Sequence, residues 1–252
     1  MVQLDRDGDI ALLTLAHGKA SAFDVELCDA LIVRFAECRA SSCSAIVVTG
    51  RGAIFSAGVD LVRLVNEGAP YVSRFLPALS DALEAVFSCP KPVVAAVNGH
   101  AIAGGCILAC AADRRLMARG SGRIGVPELA VGVTFPPVPL EIVRFAIPPQ
   151  HVPRLVYDGA TLDADAAAAH GVVDEAVDAG ALLERAMEVA RTLASRPAAA
   201  LALAKQQLRA PAIERMRAGR QALDREVEAL WALPETLTAI REYIERTFRK
   251  GA

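Results

Sequence analysis

Two short apolar runs, AIVVT from Ala45 to Thr49 and VVAAV from Val93 to Val97, each stop at a glycine-bearing turn. Continuous rather than alternating apolarity is what a strand covered on both faces requires. Ile10 to Leu15 reads as a third strand and Arg114 to Ala118 as a fourth. Between them lie helical patterns. Leu27, Leu31 and Phe35 share one face within 24–39, and a helix within 72–87 is closed by the sequence CPKP, because proline cannot continue it. A further helix is expected over 104–112. Repeated strand-then-helix order calls for parallel pairing with helices on the sheet faces, so the expected class is α/β.

From about Gln150 onward the strand signals nearly vanish. Helices are expected over 163–170, 181–194, 198–209, 213–231 and 234–248, with breaks at Arg196-Pro197 and Ala210-Pro211. The segment from Val93 to Ala112 holds 20 residues without Asp, Glu, Lys or Arg, long enough to resemble a membrane span. Asn98-Gly99 and Gly104-Gly105 interrupt it, so a buried strand, a turn and a buried helix are expected instead. The net charge of −2, with no run of five basic residues, gives no basis for a nucleic acid or membrane-surface partner. Acidic residues stand where an export signal needs positive ones, so a cytoplasmic location is expected. The six cysteines show no C-x-x-C spacing; reduced, buried thiols and no metal site are expected.

The loops FSAGVDL (55–61) and NGHAIAGGC (98–106) both follow strands and are built from small residues. Backbone can approach a ligand closely there, and a helix start offers unpaired N–H groups. Two such loops side by side could aim two donors at one oxygen, forming an oxyanion hole for a thioester enolate. Tight turns and close helix packing would use the same glycines. Neither loop has the spacing of a dinucleotide or P-loop phosphate cradle.

These two segments, together with RIGVPELAVG (123–132) and the stretch from Tyr157 to Val177, resemble the signature segments of the crotonase, or enoyl-CoA hydratase/isomerase, superfamily in order and separation. The resemblance implies a stacked ββα spiral core, here 1–195, and a C-terminal helical region, 196–252, serving oligomerisation and active-site cover. It also implies a homotrimer or hexamer acting on an acyl-CoA substrate, with coenzyme A entering as part of that substrate and no separate cofactor. Val59 and Gly104 would supply the two backbone N–H groups. Lys19, Ala20 and Ala22 on one loop, Ala57, Gly58, Asp60 and Leu61 on another, and Ile102 would hold the coenzyme A portion. Ser21 stands where many members have asparagine.

Hydration in this family uses two glutamates around one water. By the same resemblance the first falls at Ile107, which cannot activate water, and the second at Glu128. Otherwise Glu128 would be a surface residue or a partner of Arg123. A single carboxylate over an oxyanion hole can still move a proton between C2 and C4, so enoyl-CoA isomerisation is expected. Enoyl-CoA hydration, thioester hydrolysis by a Glu128-activated water, and a silent acyl-CoA binder are the alternatives. Ser56 and Ser121 lie outside G-x-S-x-G, which disfavours a serine nucleophile. Asp60, Cys106 and Cys110 are expected in structural roles, and His17, His151 and His170 stand isolated in the chain. His100 is expected to pack or cap a turn. Trp231, Tyr243 and Phe248 are expected to make core or subunit contacts.

Overall fold

The computed structural model describes residues 1–249. The chain opens with an antiparallel pair, β1 (Val2–Asp7) and β2 (Ile10–Leu15), followed by α1 (Val25–Ala40). Asp24 caps α1 by accepting the Leu27 N–H at 2.8 Å, satisfying one of the helix's orphan donors. Next come β3 (Ala45–Gly50), β4 (Ile54–Ser56), α2 (Leu61–Glu67) and α3 (Ala69–Phe87). Then follow β5 (Val93–Val97), β6 (His100–Ile102) and α4 (Gly104–Ala111). The third group is β7 (Arg114–Ala118), β8 (Ile124–Gly125), α5 (Glu128–Val131), α6 (Pro137–Ala146) and α7 (Val152–Asp158). The rest comprises β9 (Thr161–Leu162), α8 (Ala164–Ala169), β10 (Glu175–Val177), α9 (Leu182–Ala194), α10 (Ala198–Trp231) and α11 (Pro234–Arg249).

One sheet has the order β1-β2-β3-β5-β7-β10 and a smaller one the order β4-β6-β8-β9. Three times, therefore, the chain lays a strand in the large sheet, the next in the small sheet, and then turns into a helix. That is the ββα spiral. The pairs β3/β5, β5/β7, β4/β6 and β6/β8 are parallel. Asn98 locks two successive corners together: its side-chain oxygen accepts the Gly50 N–H at 2.9 Å, and its amide nitrogen donates to Gly52 O at 2.8 Å. One face of the large sheet, including Ile10, Val47, Val94 and Leu116, packs on Leu182, Ala186 and Ala190 of α9. The other face packs with α1, α3 and α4 in the main core.

Several elements depart from the sequence expectation. Strands do not end at residue 150, because β9 and β10 each pair at the edge of a sheet. They are two and three residues long, too short to show a hydrophobic period. The expected break at Ala210-Pro211 does not occur; α10 runs unbroken from Ala198 to Trp231. Pro211 and Gln207 both face solvent, so the carbonyl left without an N–H partner can be hydrated. The helix is also held from outside. Lys205 Nζ lies 2.6 Å from Asp113 Oδ2, and the Arg209 guanidinium lies 2.8 Å from Asp113 Oδ1. Asp113 in turn accepts the Val93 N–H at 2.7 Å, tying α10 to the large sheet. α3 likewise begins earlier than expected, at Ala69, and continues through the exposed Pro77. All six cysteines are free and buried. No described helix is long and apolar enough to cross a membrane.

Candidate active site

The two N–H groups expected to face an oxyanion are set by local pairing. Phe23 N–H donates to Gly58 O at 2.7 Å, and Asp60 N–H donates to Phe23 O at 2.9 Å. This parallel bridge between Phe23 and Val59 turns the Val59 N–H to the opposite side of the strand, where it donates to no backbone carbonyl. Gly104 is the first residue of α4, so its N–H has no intrahelical acceptor. The two loops that carry these groups are in contact. A Cβ added at Gly58 would lie 2.6 Å from Ile102 O, and one added at Gly105 would lie 2.5 Å from Ser56 O.

Ala103, just before Gly104, adopts φ 51° and ψ −121°, a region suited to glycine and costing other residues about 1–3 kcal/mol. It is held on both sides: its N–H donates to Gly125 O at 2.8 Å, and its carbonyl accepts the Ile107 N–H at 3.0 Å. The strain therefore fixes where the peptide leading into Gly104 points. Gly105→Ala is expected to lower kcat/KM about a hundredfold, since a displacement of about 1 Å between the loops suffices for that. Steady-state kinetics on a folded variant checks this. Wild-type rates would separate the Ser56–Gly105 contact from catalysis.

Glu128 is not in an open loop but is the first residue of the one-turn helix α5. It is 7% exposed, and its Oε2 has no hydrogen-bond partner. Burial pushes its carboxyl up to about 8, slightly offset by its own backbone N–H. Arg123 does not pair with it; that guanidinium instead donates to Thr161 O at 3.0 Å and lies 3.6 Å from Asp163. The carboxyl borders a small cavity of about 80 Å³, walled by Ala57, Val59, Leu61, Ile102, Ala103, Pro127, Val131, Val133, Trp231 and Tyr243. Glu128 is the only carboxyl among these described lining residues. Ile107 lies in the apolar core, 2% exposed, and is not part of the cavity wall.

Of the residues expected to hold coenzyme A, Ala57, Leu61 and Ile102 line this cavity. Lys19 is exposed, and Ala20 and Ala22 are half-buried beside the FSAGVDL loop. Ala20 O accepts the Ala57 N–H at 3.0 Å, and Ser56 Oγ donates to Ser21 O at 2.7 Å, joining the two segments. Ser21 has φ 46°, a left-handed conformation that asparagine tolerates better than serine. Asp60 caps α2 by accepting the Arg63 N–H at 2.9 Å. His17 is not isolated: its Nε2 lies 2.6 Å from Asp24 Oδ2. His151 and His170 face each other with ring centroids 4.8 Å apart. His100 is half-buried in a strand, β6, rather than in a loop. The described residues contain no cluster of three metal-binding side chains.

Trp231 and Tyr243 are the least foreseeable wall residues. Trp231 ends α10, is 2% exposed, and donates its Nε1–H to Thr134 O at 2.8 Å. It is both a core contact and a cavity wall. The contact expected of the Phe248 side chain lies outside the described residues.

A family model for enoyl-CoA hydratase/isomerase matches residues 5–248. The chain belongs to the enoyl-CoA hydratase/isomerase family. A carnitinyl-CoA dehydratase from Salmonella heidelberg (strain SL476) is 34% identical over 213 residues, covering 83% of this chain and 80% of the relative. A probable enoyl-CoA hydratase from Mycobacterium tuberculosis H37Rv superposes with TM-score 0.84 at 31% identity, over 89% of this chain and 95% of that one. The human mitochondrial delta3-delta2-enoyl-CoA isomerase superposes with TM-score 0.94 over 100% of this chain and 99% of that one; at 21% identity this shows a shared fold. The crotonase fold with its C-terminal helices is thus the architecture of this family member, and acyl-CoA thioesters are its substrate class.

Proposed function

We propose that this family member is an enoyl-CoA isomerase, shifting a double bond between C3 and C2 of an acyl-CoA thioester. The observation that carries this reading is the single carboxyl at the cavity, Glu128, buried and with an unpartnered Oε2. In its ionised form the carboxylate takes a proton from C2 of a 3-enoyl thioester. The C2–H electron pair moves into a C1–C2 double bond, and negative charge collects on the thioester oxygen. The Val59 and Gly104 N–H groups hold that oxygen, stabilising a dienolate. The carboxylic acid so formed returns the proton to C4, leaving a C2–C3 double bond. One group thus serves as base and then as acid, and no atom is gained or lost.

Hydration makes a different demand, since a water must be held and activated while a proton is delivered to C2. Family hydratases meet it with two carboxylates. Here the position expected for the first is the buried, apolar Ile107. In the same reading, the segments around Lys19 to Ala22 and Ala57 to Leu61 hold the coenzyme A portion at the cavity mouth.

Parallel assays on a 3-enoyl-CoA and on crotonyl-CoA test the proposal. Double-bond transfer is expected to exceed hydration by at least about tenfold in kcat/KM. Efficient hydration of crotonyl-CoA that disappears in Glu128→Gln would overturn the isomerase reading while keeping Glu128 in the chemistry.

A further inference from the structure

We infer that Trp231 limits the acyl chain to a short apolar group, of about four to six carbons, by closing the far end of the Glu128 cavity. The inference deepens the reading of this site as an enoyl-CoA site and rests on it. The cavity's volume is about 80 Å³. A cavity of about 150 Å³ accommodates benzene, so the space here suits only a few acyl carbons beyond the thioester. The wall offers valine, leucine, isoleucine, alanine and proline side chains, with Tyr243, Glu128 and the already bonded Trp231 N–H the only polar side-chain groups. A hydroxylated or charged chain would lose its hydration without finding matching partners.

The indole closing this space is fixed rather than a swinging side chain. Trp231 is 2% exposed and hydrogen-bonded through Nε1–H to Thr134 O at 2.8 Å. Displacing it would strand a buried donor, which is costly. Its acceptor belongs to a constrained segment, because Val133 lines the cavity and Pro136-Pro137 leads directly into α6. α11 braces the roof from above: Ile240 is fully buried, and a Cβ added at Gly132 would lie 3.3 Å from the Ala239 Cβ. Extending the space past the indole therefore breaks the Trp231–Thr134 hydrogen bond and disturbs the buried end of α10.

Calorimetric titration with saturated butanoyl-, hexanoyl-, octanoyl- and decanoyl-CoA tests the limit, because none of these thioesters carries a double bond to shift. Wild-type protein is expected to bind butanoyl- or hexanoyl-CoA at least about tenfold more tightly than decanoyl-CoA. Trp231→Ala is expected to raise the decanoyl-to-butanoyl affinity ratio by at least about tenfold. Trp231→Leu gives the same measurement with less lost volume should the alanine variant fail to fold. Equal affinity of the wild type for butanoyl- and decanoyl-CoA would overturn the inference. So would an unchanged ratio in both folded variants, or the absence of binding by every thioester. The enoyl-CoA assays are read separately, so a wrong reaction assignment leaves the chain-length pattern to be judged by itself.

Discussion

Glu128→Gln is expected to lower turnover of an enoyl-CoA about a hundred- to ten-thousandfold, the span of a lost general acid–base group. Glutamine nearly preserves the shape of the side chain, so the loops and cavity should persist. What disappears is the capacity to take up a proton and give it back. On the proposed mechanism the Val59 and Gly104 donors remain, and with them the hold on the thioester oxygen. Affinity for an unreactive acyl-CoA should therefore stay within a few-fold of wild type while kcat falls. Single-turnover kinetics combined with calorimetry separates these quantities. A drop in kcat smaller than about tenfold would remove Glu128 from the rate-determining chemistry.

The second large effect is a pair of opposite pH dependences. Proton abstraction requires the ionised carboxyl, which burial places at about 8. Below that pH, kcat/KM should rise about tenfold per pH unit and then level off. Stability should move the other way. The folded carboxyl at about 8 lies above its ordinary 4.5, so the folded chain keeps a proton that the unfolded chain releases. The contribution is fully present below the unfolded value and is lost as pH climbs from there through 8. Across that window the loss amounts to about 5 kcal/mol, from 1.36 kcal/mol per pH unit. Glu128→Gln should flatten the pH dependence of the melting temperature and leave the variant more stable than wild type above pH 8. Parallel pH slopes in the two proteins would show that the carboxyl is ionised in the folded state throughout.

The sequence made the spiral's large-sheet strands and its glycine loops legible because each is a local event. The Ala45–Thr49 and Val93–Val97 runs carry their burial in composition, and FSAGVDL and AGGC carry their tight packing as missing side chains. Glu128 was legible through its segment, whose apolar Ile124, Val126 and Val131 are buried beside it, but the full cavity wall was not. Its neighbour Leu129 is 42% exposed, whereas Ile102, Trp231 and Tyr243, distant in the chain, help wall the cavity. Short strands such as β4, β6 and β8 escape because two or three residues carry no period. α2 and α6 are hidden for another reason: one begins inside a glycine-bearing loop, and the other starts at Pro137, where proline is acceptable in a first turn. Pro211 misled because a local rule against proline yields when solvent can satisfy the freed carbonyl.

The contacts that tie α10 to the rest of the protein span great chain distances. Trp231 and Thr134 are 97 residues apart, and Lys205 and Asp113 are 92 apart. Closing loops of that length costs entropy before the contact gives anything back. The spiral's successive turns join segments about half as far apart: Gly50 and Asn98 are 48 residues apart. A ribosome making this polypeptide would expose the spiral core, with its cleft uncovered, before α10 and α11 leave the exit tunnel to wall it.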